Sequence, residues 1–131
     1  MNCPGAERSL TFRELIDRVD ELAPNRYSDA QKVRWLRDLD GRVLNELYWS
    51  YIGRREPFPD DEDAALDAAL VIREPYASDI YENYLLSRIA ERNAEIQKYN
   101  LYAALFNEAY QSYCRCYGRK HRAKWCGGWR V

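Results

Sequence analysis

YASDIYENYLLSRIAERNAEIQKYNLYAALFNEAYQSYCRCY, residues 76 to 117, is the stretch whose reading decides the fold. It contains neither glycine nor proline, the strongest punctuators of local structure, and it holds eight of the eleven tyrosines. Leu85, Ile89, Arg92, Ile96, Tyr99, Ala103, Phe106, Tyr110, Tyr113 and Tyr117 follow one another in steps of four and three. That is the period of one helical face and not of a strand. Unbroken, so long a helix would reach about 60 Å, long for a domain of this size. Asn100 is the residue best suited to a break, so the spacing predicts an antiparallel pair meeting near Tyr99–Asn100, with one continuous helix as the alternative. Tyr81, Tyr84, Tyr102 and Tyr113 are candidates for a rim or interface.

Upstream, Thr11-Phe12-Arg13-Glu14 has the form of a capping box. A threonine hydroxyl there accepts from the amide three residues on, and the glutamate reaches back. Phe12, Leu15, Ile16, Val19 and Leu22 continue at helical spacing until Pro24, which forces the preceding residue out of the α region. Ser28 to Gln31 repeats the start signal, and Val33, Leu36, Leu39, Val43, Leu44, Leu47, Tyr48 and Tyr51 give a second apolar face, with Trp35 and Trp49 near its edges. Gly41 inside that helix costs about 1 kcal/mol relative to alanine and implies either close approach of a neighbouring helix or a bend. Gly53 ends the helix, and the polar run from Arg54 to Asp63 reads as a loop. Its acids, Asp60 to Asp63, lack the spacing and glycine of a calcium loop. Ala64 to Ala69 suits a turn of helix, and Leu70-Val71-Ile72 a short extended segment or a buried plug. Pro75 then suits the start of the long stretch, with Ser78 a possible cap.

These elements predict an all-α protein, a helical bundle of about four main helices. Its organisation is expected to be a flexible leader over 1–10, a single helical domain over 11–117 and a basic mobile tail over 118–131. At 131 residues, 47% hydrophobic and 31% charged, the chain has the size and composition of one folded domain. Its net charge of −1 conceals a division: residues 1–80 carry −6, and residues 81–131 carry +5. Beyond Cys114 there are six Lys/Arg and no acid, which suits an acidic partner, a phosphate backbone, or simply a solvated tail. No apolar run approaches the length that crosses a bilayer, and MNCPGAERSL lacks the apolar core of a signal peptide. A reducing cytoplasm and four free thiols are the expectation.

Little here has the form of reaction chemistry. The one histidine, His121, sits among cations in the tail, a poor setting for nucleophilic catalysis. No phosphate-cradling glycine motif occurs. Cys114, Cys116, His121 and Cys126 have the donor types for zinc, but two cysteines separated by one residue on a helix lie about 200° apart and do not grip one ion. No cofactor or metal is therefore expected, and the chain is not read as an enzyme. Candidate partner-binding residues are Arg115, Arg119, Lys120, Arg122, Lys124, Trp125 and Trp129, the cations and tryptophans of the tail.

The phrases LIDRVDELAPN (15–25), YSDAQK (27–32), WLRDLDGR (35–42), EPY (74–76), KYN (98–100) and ALFNEAY (104–110) resemble those of the small helical head–tail connector, or adaptor, proteins of tailed phages and prophages. The likeness spans about residues 11–121 and rests on structural phrases, not on catalytic motifs; the leader and the Trp125–Trp129 ending depart from it. It implies a non-enzymatic virion part at the neck, made in the host bacterial cytoplasm. Such a part is a ring in the virion, typically of twelve subunits, on the portal protein, with a monomer as the alternative state of the free protein; it meets a tail or stopper protein, and surrounds DNA without sequence-specific binding or contact with a membrane. The alternative is a small helical DNA-binding or regulatory protein that engages phosphates through its basic tail.

Overall fold

The computed structural model describes residues 8–45 and 62–120, with side chains described over 9–45 and 65–117. In chain order the elements are β1 (Arg8–Thr11), α1 (Phe12–Leu22), α2 (Asp29–Val43), α3 (Glu62–Asp67), β2 (Ala69–Glu74), α4 (Tyr76–Arg92) and α5 (Ile96–Lys120). The protein is all-α in class, with one two-stranded ribbon added.

Each start signal has a physical counterpart. Glu14 N–H donates to Thr11 Oγ1 at 3.1 Å, and Thr11 N–H donates to Glu14 Oε1 at 3.0 Å, so α1 opens on a complete capping box. Gln31 N–H donates to Ser28 Oγ at 3.2 Å at the start of α2. Helix α4 begins directly after Pro75, without a side-chain cap. Ser78, a possible cap in the sequence, instead donates to Glu74 and accepts from Arg18 Nη1 at 2.6 Å. The helix expected as far as Tyr51 is followed to Val43 as α2, and Trp49 lies outside the described residues.

Two expectations need correction. Residues 8–10, read as part of a loose leader, belong to β1, which pairs antiparallel with β2 and buries Leu10 completely. The extended reading of Leu70–Ile72 holds, since these residues lie within β2. The break in the long stretch falls at Asn93–Glu95 and not at Asn100, which lies within α5. Ala94 N–H bonds to Glu91 O at 3.1 Å and Glu95 N–H to Ala90 O at 2.9 Å, around an Ala94 φ of 60°. These two crossed bonds satisfy the last carbonyls of α4 and make a Schellman stop. Ring contacts then run in opposite order along α4 and α5: Tyr76 meets Tyr113 and Tyr84 meets Phe106. The pair is antiparallel, as expected, but its turn is centred on Ala94, ahead of the expected joint at Tyr99–Asn100. Arg92 and Ile96, which made the seam look continuous, are both exposed.

The core gathers Phe12, Leu15, Ile16 and Val19 of α1, Val33, Leu36, Leu39 and Val43 of α2, and Ile80, Tyr81, Leu85 and Ile89 of α4. Leu70 and Ile72 enter from β2, and Phe106, Tyr110 and Tyr113 from α5. Trp35, expected near an edge, is buried, its ring edge-on to Tyr27 at 5.5 Å. Gly41 has nothing within 4 Å of where a Cβ would stand, so no neighbouring helix accounts for it.

Two polar devices fix the frame. At the α1–α2 corner the buried Lys32 places Nζ 2.6 Å from Asp20 Oδ1, and Asn25 Nδ2 donates to that same oxygen and to Ala23 O. The second device lies under the ribbon. Ser9 faces Arg73 and Thr11 faces Ala69, so Leu70, Val71 and Ile72 together oppose Leu10 in a bulge. A bulge takes amides out of the ladder, and buried amides need acceptors. Val71 N–H donates to Asp40 Oδ2 at 3.2 Å, and Ile72 N–H donates to the Tyr81 hydroxyl at 2.8 Å, which in turn donates to Asp40 Oδ1 at 2.5 Å. Asp40 is thus held by β2 and α4 at once. Burial outweighs both bonds and raises its pKa from 3.8 to about 7.

Candidate interaction surface

Helix α5 presents two faces of different character. Its inner face carries Tyr99, Ala103, Phe106, Tyr110, Tyr113 and Tyr117, the periodic seam of the sequence, and it closes against α4. The aromatic rings form a column: Phe106 stacks on Tyr110 at 5.6 Å, and Tyr113 meets Tyr117 at 5.9 Å. The Arg42 guanidinium on α2 lies 5.9 Å from the Phe106 ring and 5.3 Å from that of Tyr110. Cation–π contacts of this kind contribute about 0.5–1 kcal/mol at exposed sites. Burial pushes the Tyr84 hydroxyl pKa up; Arg88 and Arg42 oppose the shift, and Asp38 and Glu91 add to it. Of the four tyrosines expected at a rim, Tyr81 and Tyr113 are buried, while Tyr84 and Tyr102 are half-buried. The column therefore belongs to the core.

The outer face of α5 is a different surface. Leu101 and Leu105 are 55% and 41% exposed, one turn apart. Lys98, Glu108 and Arg115 are exposed along the same side. Lys98 pairs locally with Glu95 at 3.0 Å, an exposed contact of small energy. Among the described residues two further large apolar side chains are exposed, Leu22 at the end of α1 and Ile96 at the start of α5.

The candidate partner-binding residues fare unequally. Arg115 is exposed on α5, and Arg119 and Lys120 belong to its last turn by backbone. Arg122, Lys124, Trp125 and Trp129 lie outside the described residues. The helix runs past Gly118, where the sequence suggested a change to tail. Cys114 is a free thiol, whereas Cys116 is in a disulfide; its partner cysteine lies outside the described residues. The expectation of four free thiols is thereby corrected. Tyr76 Oη donates to Cys116 Sγ at 2.8 Å.

Among the described residues no helix is long and apolar enough to cross a membrane, and no cluster of His, Cys, Asp or Glu is placed to hold a metal ion. Leu101 and Leu105 carry little signal in the sequence, because two leucines one turn apart do not by themselves show which side of a helix is buried. Asp40 and Lys32 carried no signal at all, since a lone acid or lysine in an amphipathic helix looks solvated. No protein-family model, curated protein or solved structure matches the chain.

Proposed function

We propose that this chain is a structural part of a phage or prophage neck, a head–tail connector that assembles with itself into a ring on a portal protein. What supports the reading is where the connector-like phrases fall. LIDRVDELAPN and YSDAQK supply Asp20, Asn25 and Lys32, the residues that lock the α1–α2 corner. WLRDLDGR supplies Asp40, and EPY supplies Glu74, which takes the Ser78 hydroxyl and lies 3.9 Å from Arg18. The likeness therefore lies in the residues that build the frame, as expected of a part whose work is docking. On this reading the cations at the end of α5 serve portal contacts, and the charge division orients neighbours head to tail.

Native mass spectrometry of the full chain with portal protein tests the proposal. A complex containing many copies of the chain per portal ring is expected. A chain that stays monomeric and unbound in the presence of portal overturns it. A salt-sensitive complex with free duplex DNA, with no portal binding, would favour the DNA-binding alternative instead.

A further inference from the structure

The outer side of α5 carries a pattern of its own. Lys98, Leu101, Leu105, Glu108, Ser112 and Arg115 follow in steps of three, four, three, four and three. At 100° per residue they keep to one stripe of the helix, and that stripe is centred about 150° round the helix from the seam buried against α4. Its apolar members are the exposed Leu101 and Leu105. A 3–4 repeat is the signature of a helix that packs lengthwise on another helix. Among the described residues the stripe has no such helix, because α4 occupies the aromatic side.

We infer that the chain pairs with a second copy of itself through this stripe, with the two α5 helices antiparallel and related by a two-fold axis at the level of Ala103. The leucines set the register. Only one antiparallel alignment lays both leucines of one copy against both of the other, Leu101 opposite Leu105 and the reverse. Charge then agrees without being consulted: the same alignment brings Lys98 opposite Glu108 of the second copy, twice by symmetry. Lys98 is 62% exposed and has only an exposed local partner, so it can serve the second carboxylate. A parallel pair would set Lys98 against Lys98 and Glu108 against Glu108, a repulsive arrangement.

One pair of helices buries a small interface of the transient class, so the dimer forms reversibly. This is a closed, isologous contact, and it does not rest on the ring reading, which needs portal protein and a head-to-tail contact. Either can fail while the other stands.

Analytical ultracentrifugation of the full chain across a concentration series tests it, with circular dichroism confirming that each variant folds. The wild-type chain is expected to pass from monomer to dimer and no further. Leu105→Glu places a charge in the apolar part of the stripe and should weaken the dimer about tenfold or more. K98E sets Glu against Glu, E108K sets Lys against Lys, and each alone should weaken it several-fold at low salt. An equimolar mixture of K98E and E108K restores both opposite-charge contacts in a heterodimer, and should recover the wild-type affinity. A strictly monomeric wild type, an assembly larger than two, or a dimer indifferent to these charges would each overturn the proposal.

Discussion

Replacing Asp40 by asparagine should remove one large component of the pH dependence of stability between acid and neutral pH. The carboxyl is buried under the bulge of β2, and burial raises its pKa from 3.8 to about 7. Below pH 3.8 the group is neutral in the folded and unfolded chains alike, and its contribution is at its most favourable. Between 3.8 and about 7 the unfolded chain ionises while the fold holds the proton, so stability falls as pH rises; above about 7 both states are ionised and the loss levels off. One pKa unit corresponds to about 1.4 kcal/mol, so the full loss is about 4 kcal/mol. Asparagine does not titrate. Its oxygen can accept from Val71 N–H and its amide can donate to the Tyr81 oxygen; the Tyr81 O–H loses its carboxylate acceptor, a cost that does not vary with pH and so leaves the pH dependence of the difference unchanged. Urea unfolding of both proteins, followed by circular dichroism at several pH values across this window, gives the difference directly. Relative to the wild type, the variant should gain about 4 kcal/mol between the acid and neutral ends. A difference that stays constant to within about 1 kcal/mol would show that Asp40 titrates as an ordinary carboxylate, and would refute the reasoning.

Four further substitutions at three sites follow from local geometry. Ala94 has a φ of 60° at the Schellman stop, where an L side chain is strained by about 1–2 kcal/mol; Ala94→Gly removes this and loses part of the gain to the freer unfolded chain, for a net stabilisation of about 0.5–1 kcal/mol in thermal melts. Gly41→Ala meets nothing within 4 Å and should raise stability by about 1 kcal/mol in the same measurement, since helical glycine has only its entropy to lose. At Lys32 two variants separate packing from charge: Lys32→Met keeps the buried stem and should cost about 1 kcal/mol, because Asp20 is partly hydrated. Lys32→Ala also opens a cavity and should cost about 2 kcal/mol or more in denaturant titration.

Features written in neighbouring residues were legible in the sequence, and features that depend on distant parts of the chain were not. The capping box at Thr11 is complete within four residues, and the α5 inner seam is a repeat within one helix. The two-helix reading was right because a single helix would be too long for the domain, but the hinge was misplaced. Asn93 and Asn100 both suit a helix end, and Ala94 gives no sign that it adopts a left-handed conformation. What stops α4 is the crossed hydrogen bonding around it. The ribbon stayed hidden because Ser9-Leu10-Thr11 is too short to show a strand period, and its partner lies about sixty residues away. For the same reason Asp40 gave no warning: its meaning comes from a bulge in one element and a tyrosine in another.

That long-range ribbon has a kinetic consequence. Helices α4 and α5 are joined by a three-residue turn, so their aromatic column can zip together with little loop to close. The β1–β2 contacts must instead close a loop of about sixty residues, a far larger entropic step. Local contacts of the first kind form early and non-local ones late. In stopped-flow measurements, trimming Phe106 or Tyr110 to alanine should therefore slow folding. Trimming Leu10 should chiefly speed unfolding, which makes β1 the latch that sets how long the folded chain lasts.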